Sequence, residues 1–470
     1  MTYHDRSNLA LTASSQAAVD AYDKAVELFH GYYGDPIGAL DAALADDPAL
    51  AMAHLAKAGI LLTTSEKAAE PIARAHVEAV EALGKRVQAR ETTHLAACRT
   101  WLAGDWRRAV ELWSDVAVEH PHDALAIQLA HLGDFYLGQS AMLRNRVARV
   151  LPYWHEAMPG YGYLLGMHAF GLEECGDYAV AEREGKRAVE LNARDPWAIH
   201  AVAHVMEMQG RLAEGIRWLE SRARDWSPDN AFAFHNWWHL ALYYLDLGDH
   251  ARVLELYDTR IRPGRSQVVL EMIDATAMLW RLALRGADVG ERWQELADCW
   301  APLAEDAHYA FNDVHALMAF VADGRVALQR KLVRAMRHRI LASSTNAAMT
   351  SEVGLPLANG LVAFGRGQYA AAVEFLRSVR PVASRFGGSH AQRDLIDLTL
   401  IEAALRAGEG RLARALASER THLKPTSTFN WRLTARAQSL LGEERNAVQS
   451  EAWSAAVAAA AEGRRVREAA

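Results

Sequence analysis

Prolines fall along this chain at a nearly constant interval. Pro121, Pro159, Pro196, Pro228, Pro263 and Pro302 are separated by 38, 37, 32, 35 and 39 residues. Pro48 lies 73 residues before the first and Pro381 lies 79 after the last, each close to two such intervals. Proline has no backbone N–H and is tolerated near a helix start or between helices, not within one. A chain punctuated in this way is constrained to repeated helical units. The text between prolines agrees. Trp106, Ala109, Val110, Trp113 and Val116 recur at three- and four-residue spacing, which is one face of an amphipathic helix. No stretch sustains period-two alternation, so no strands are expected.

Each unit also carries a turn glycine with small residues at fixed offsets. Ala97, Gly104, Ala109 and Trp113 recur as Ala203, Gly210, Gly215 and Leu219, as Ala241, Gly248, Val253 and Tyr257, and as Gly360, Gly367, Ala372 and Leu376. Ala435, Gly442 and Ala447 keep the first three positions. Two antiparallel helices approach closely only where the facing side chains are small. The glycine supplies the left-handed residue that ends the first helix.

These residues resemble the tetratricopeptide repeat, best at Ala97–Pro121 and Gly360–Pro381. Ser140–Trp154 and Ser266–Trp300 depart from the motif and rest on helical spacing alone. The expected fold is all-α, a superhelical α-solenoid of about twelve antiparallel helix pairs. Residues 1–15 are read as an N-terminal tail, 16–465 as one continuous array ending in a capping helix, and 466–470 as a tail. Four segments, DPWAIHAVAHVMEMQGR, HNWWHLALYYLDLGD, FNDVHALMAFVADGR and GGSHAQRDL, resemble the tetratricopeptide repeat protein 38 family. That resemblance implies the fold and no particular activity.

Composition narrows the partners. Of 470 residues, 51% are hydrophobic and 23% charged, with a formal net charge of −7 and no basic stripe. Nucleic acid is therefore not an expected partner. The start lacks a cationic segment followed by an apolar core, and no apolar run reaches about 18 residues, so neither a signal peptide nor a membrane span is expected. Cys98, Cys175 and Cys299 are distant in sequence and form no CxxC pattern, which fits a reducing cytoplasm and argues against a cysteine zinc site.

Histidine and tryptophan are abundant, at 20 and 14. His200 and His204 are four residues apart on one expected helix, and His235 and His239 on the next. In the repeat family the first helix of each pair lines the concave groove. Counting at 100° per residue from the turn glycine groups His200, His204, His235 and Trp238 on the groove face. His239 and His315 fall at its edge, and Glu207 lies a turn further on. His390 sits in a Gly-Gly-Ser-His loop.

Three readings of these histidines stay open. They are packed core histidines, or a polar ligand site, or a metal or acid–base centre. HAVAH is not HExxH, because Ala201 stands where a general-base glutamate would be. No cofactor is expected, and a divalent ion on His200, His204 and His235 belongs to the weakest of the three readings. The leading expectation is a binding protein whose groove takes a small polar ligand or peptide through His200, His204, Glu207, His235, Trp238, His239, His315 and His390. The alternatives are an enzyme using those histidines and a protein-interaction scaffold; a homo-oligomer is compatible with each. Trp101, Trp113, Trp218 and Trp280 are read as core. Glu271 with Asp274, and the basic run Arg325–Arg339, are read as solvated helix faces.

Overall fold

A computed structural model describes residues 3–469, with side chains described as far as Ala460. The described chain is almost wholly α-helical. The exceptions to the strand-free expectation are slight: Tyr3–His4 pairs antiparallel with Ala10–Leu11, and Tyr33 bridges Asn230. The prolines fall where the sequence reading puts them. Pro196 opens the helix Pro196–Met208. Pro121 lies in the turn between Trp106–Glu119 and Ala124–Tyr136. Pro381 sits in the 3-10 turn Arg380–Phe386.

The turn glycines behave as expected. Gly104, Gly210, Gly248, Gly367 and Gly442 have φ of +89°, +66°, +84°, +72° and +73°, a region that L-residues with a Cβ enter at a cost. Ala97 and Ala109 are completely buried where Ala89–Leu102 packs on Trp106–Glu119. At Gly215 the approach is closer still, because a Cβ there would collide with the ring of Tyr243.

The chain forms two compact units. The first comprises Met1–Val202, Arg224–Ala233 and Ala342–Ala348. The second comprises Ala203–Ala223, Phe234–Leu341 and Met349–Ala470.

Within the first unit, distant segments are tied together by hydrogen bonds. The Tyr33 hydroxyl donates to the carbonyls of Arg194 at 2.8 Å and Asp225 at 3.0 Å. The Ala231 amide donates to Tyr32 at 2.8 Å. Thr345 both donates its amide to the Gly104 carbonyl at 2.9 Å and accepts from the Trp106 amide at 3.1 Å.

The second unit closes in the same manner. The segment after the helix Gly410–Leu423 returns to the unit's first residues. Thr426 Oγ1 donates to the Gly210 carbonyl at 2.8 Å, and Thr428 Oγ1 to the Asp246 carbonyl at 2.8 Å. Trp280 Nε1 donates to Thr399 Oγ1 at 3.0 Å. Neither unit is a stack in which each repeat touches only its neighbours. The consequence for function is that helix faces which would line an open groove are enclosed.

Cys98, Cys175 and Cys299 are unbridged. No helix among the described residues is long and apolar enough to cross a membrane. The small-residue crossings lead to a test whose sign is informative. Alanine is a better helix former than glycine by about 1 kcal/mol, yet Gly215→Ala should destabilise the protein by about 1–3 kcal/mol through overpacking against Tyr243. Urea denaturation gives the answer, and a gain in stability contradicts the close approach.

Candidate functional site

The helix Pro196–Met208 begins with Asp195. Its Oδ1 accepts from the amides of Trp197 and Ala198, both at 3.0 Å, an N-terminal cap that satisfies two otherwise unpaired donors. Its Oδ2 is buried and makes no hydrogen bond among the described residues. Burial pushes this carboxyl up to about 7, against the lowering effect of the two amides. His200, on the first unit's part of this helix, is packed among aromatic rings. Its centroid lies 5.2 Å from Phe170, 5.2 Å from Trp197 and 5.1 Å from Phe232.

One turn on, His204 belongs to the second unit and meets the helix Ala233–Leu247. The ligand nitrogens of His204, His235 and His239 lie within 4.8 Å of one another. His235 Nδ1 is 2.6 Å from Asp274 Oδ2. His239 Nδ1 is 3.1 Å from Glu207 Oε2, and its Nε2 is 3.3 Å from His235 Nε2. A carboxylate only accepts, so these contacts assign the imidazole protons to both Nδ1 atoms and leave lone pairs on both Nε2 atoms. The other oxygen of Glu207 accepts from Lys424 Nζ at 3.1 Å. Trp238 stacks on His235 with centroids 5.4 Å apart and planes 10° from parallel, and the Arg281 guanidinium lies 5.3 Å from the Trp238 ring.

Electrostatics fix the charge states. Burial, reinforced by His204, His235, Lys424 and Arg281, holds His239 well below the usual imidazole value, so it is neutral. Burial works to lower Lys424 as well, but the Glu207, Asp246 and Asp394 carboxylates outweigh it and raise it, so it is charged. The cluster is a layered arrangement: imidazoles at the centre, carboxylates outside them, and a lysine beyond one carboxylate.

The expected site residues therefore differ in fate. His200, His204, Glu207, His235, Trp238, His239 and His315 are all buried, between 0% and 8% exposed, where an accessible groove face was expected. In the second unit the segment Lys424–Thr428 covers Glu207, Gly210 and Asp246. His239, expected at the edge, is central: its ring lies 4.4 Å from that of His204 and 4.8 Å from that of His235. The angular count considers one helix at a time and misses the partner helix that brings Glu207 and His204 to meet it. His315 Nδ1 donates to the Phe311 carbonyl at 2.8 Å, and burial lowers this imidazole to about 4. His390 is half-buried at the start of the helix His390–Arg406. Neither belongs to the gathered nitrogens.

Asp274 overturns one expectation. It is 1% exposed, not solvated, because it answers His235. Lys424 gave no signal in the sequence, since its contact with Glu207 spans 217 residues. Trp101, Trp113, Trp218 and Trp280 are core, as expected. Val326–Arg339 buries only Gln329, Leu332 and Met336.

The first unit holds a second polar feature, a cleft of about 490 Å³. The helix Gln16–Gly31 supplies Tyr22, Asp23, Glu27 and His30 to its wall, and the helix Tyr161–Glu174 supplies Tyr163. His30 is 6% exposed, and its Nδ1 bonds Gln128 Oε1. Gln128 Nε2 donates to the Phe29 carbonyl at 3.3 Å, which orients the amide with its oxygen toward His30. The His30 proton is thus on Nδ1. Its Nε2 is a buried acceptor with no hydrogen bond among the described residues. Burial lowers His30 to about 4 and raises Asp23 to about 6. No motif marked this site, because His30 stands alone in sequence.

The recurring helix pairs, left-handed turn glycines and small crossing residues define an all-α fold of repeated antiparallel helix pairs. No protein-family model matches the chain. Among solved structures it is similar to the human IFIT1 dimer with PPP-AAAA, at 12% identity over 95% of each chain and a TM-score of 0.39. It is also similar to the APC/C hetero-tetramer Cut9-Hcn1, at 12% identity over 96% of each chain and a TM-score of 0.35. Likeness at this level carries no functional inference.

Asp195 supplies a pH test. Its folded value of about 7 exceeds the ordinary 3.8, so the folded state binds the proton more tightly. The stability this contributes is full below about pH 3.8 and is lost as pH rises through 7, on the order of 4 kcal/mol in all. Asp195→Asn keeps the capping oxygen and removes the titration. Relative to this variant, the wild type should lose stability between pH 5 and 7 in urea denaturation. A constant difference across that window contradicts the buried, protonated carboxyl.

Proposed function

We propose that this protein is a binding protein of the tetratricopeptide class that takes a small polar ligand, rich in hydroxyl or amino donors, in the cleft of its first unit. The observation that carries the reading is His30, a residue of the cleft lining whose buried Nε2 has no hydrogen bond among the described residues. An unsatisfied buried acceptor costs about 1–3 kcal/mol, and a ligand donor at that point recovers it. The size suits a small molecule, since ligand pockets run from about 300 to 1,000 Å³.

The lining indicates the ligand's charge. Asp5, Asp23, Glu27, Asp123 and Glu156 outnumber Arg6, Lys24 and Arg194. Glu27 already pairs with Arg6 at 3.2 Å, and the Arg194 guanidinium lies 4.0 Å from the Tyr33 ring. A surplus of carboxylates favours donors and disfavours anions. Nucleic acid fits poorly for the same reason. The histidines of the second unit stand outside this ligand site. Within the class, the four segments quoted above support placement in the tetratricopeptide repeat protein 38 family, and three unbridged cysteines support a cytoplasmic location.

The test uses a panel of sugars, polyols and small amines, read by thermal shift and titration calorimetry. At least one member should stabilise the wild type. His30→Leu should weaken that ligand about tenfold or more. The same substitution removes the donor to the buried Gln128 Oε1, so the stability of the ligand-free variant is measured beside its affinity. Equal affinity in wild type and variant refutes the assignment of His30.

A further inference from the structure

We infer that the second unit holds one divalent transition-metal ion of the zinc class, bound by the Nε2 atoms of His235 and His239 together with His204. This does not depend on the ligand reading, which concerns the first unit.

The distance between the two Nε2 atoms is the first argument. Imidazole nitrogens bound at about 2.0–2.1 Å to one tetrahedral ion stand about 3.3–3.4 Å apart. His235 and His239 Nε2 are 3.3 Å apart. They are also one turn apart on the helix Ala233–Leu247, the spacing at which two histidines chelate from a single helix face. His204, from the helix Pro196–Met208, brings a nitrogen within 4.8 Å of both.

The protons are the second argument. Asp274 takes the Nδ1 proton of His235, and Glu207 takes that of His239. With those protons on Nδ1, the two Nε2 atoms, 3.3 Å apart, offer lone pairs, the form in which imidazole binds a metal ion. A carboxylate on the far nitrogen is the usual partner of a metal-binding histidine, fixing the tautomer and raising the basicity of the ligand. Here it occurs on two histidines at once.

Charge is arranged in shells. The imidazoles are followed by the Asp274 and Glu207 carboxylates, and Lys424 lies beyond Glu207 on its other oxygen at 3.1 Å. Arg281 is directed elsewhere, to the backbone carbonyls of Ala277 and Ala391. Neutral imidazoles select zinc, copper, nickel or ferrous iron and discriminate against magnesium and calcium. Three protein nitrogens supply three of the four positions of a tetrahedral ion.

The test is metal analysis of the full-length protein, expressed without a metal-affinity tag. It is stripped with chelator and offered zinc or cobalt(II), and its fold is followed by circular dichroism. About one ion per chain is expected, and the cobalt form should show the visible bands of four-coordinate geometry. His239→Ala should abolish stoichiometric uptake. Asp274→Asn keeps all three ligands and the fold, and should weaken zinc about 10–100-fold. Two results would overturn the inference: folded wild type that takes up neither zinc nor cobalt, or unchanged uptake in both variants.

Discussion

Where two helices of this protein cross, the side chains between them are almost absent. Ala97 and Ala109 are completely buried at one crossing. Gly215 at another admits no Cβ beside the Tyr243 ring, and Gly133 admits none beside Val110. These contacts hold the backbones close, and close backbones leave the rest of each helix little choice. Large apolar residues fill the flanking space at near-crystalline density. Polar residues on the same helices must then either reach solvent or find partners inside, because leaving them unpaired in the interior is costly. Closure of each unit on itself removes the first option for many of them.

The two units meet that demand differently. In the second, the Asp274 and Glu207 carboxylates back the imidazoles of His235 and His239, and Lys424 balances Glu207. In the first, space remains: a cleft of about 490 Å³ has the His30 imidazole, pushed down to about 4 by burial, on its wall. Asp195, pushed up to about 7, shows the same physics acting on a carboxyl. Desolvation penalises the charged form in each case, so bases fall and acids rise.

Local features were legible in the sequence, and distant ones were not. Proline spacing and the glycine offsets report single turns of backbone, so the helix pairs and the positive φ at Gly104 and Gly248 could be read in advance. The histidine pairs drew attention to the right helices for the same reason. What they touch depends on contacts across the chain: His235 with Asp274 at a separation of 39 residues, His30 with Gln128 at 98, and Glu207 with Lys424 at 217. The expectation of an accessible groove came from the family resemblance, in which repeats meet only their neighbours. The contacts of Lys424–Thr428 with Glu207, Gly210 and Asp246 likewise have no local signature. Asp274, buried in the helix Val269–Leu284 while Glu271 one turn before it is half-buried, finds its partner in His235.

The account stands or falls on whether the His30 cleft is built for a ligand. The most direct measurement is a high-resolution crystal structure of protein purified from its native host, paired with mass spectrometry of whatever heat denaturation releases. We expect density larger than water in the cleft, with a donor within hydrogen-bonding distance of His30 Nε2, and a matching small molecule in the released fraction. A cleft filled by ordered water alone, with nothing released, would contradict it.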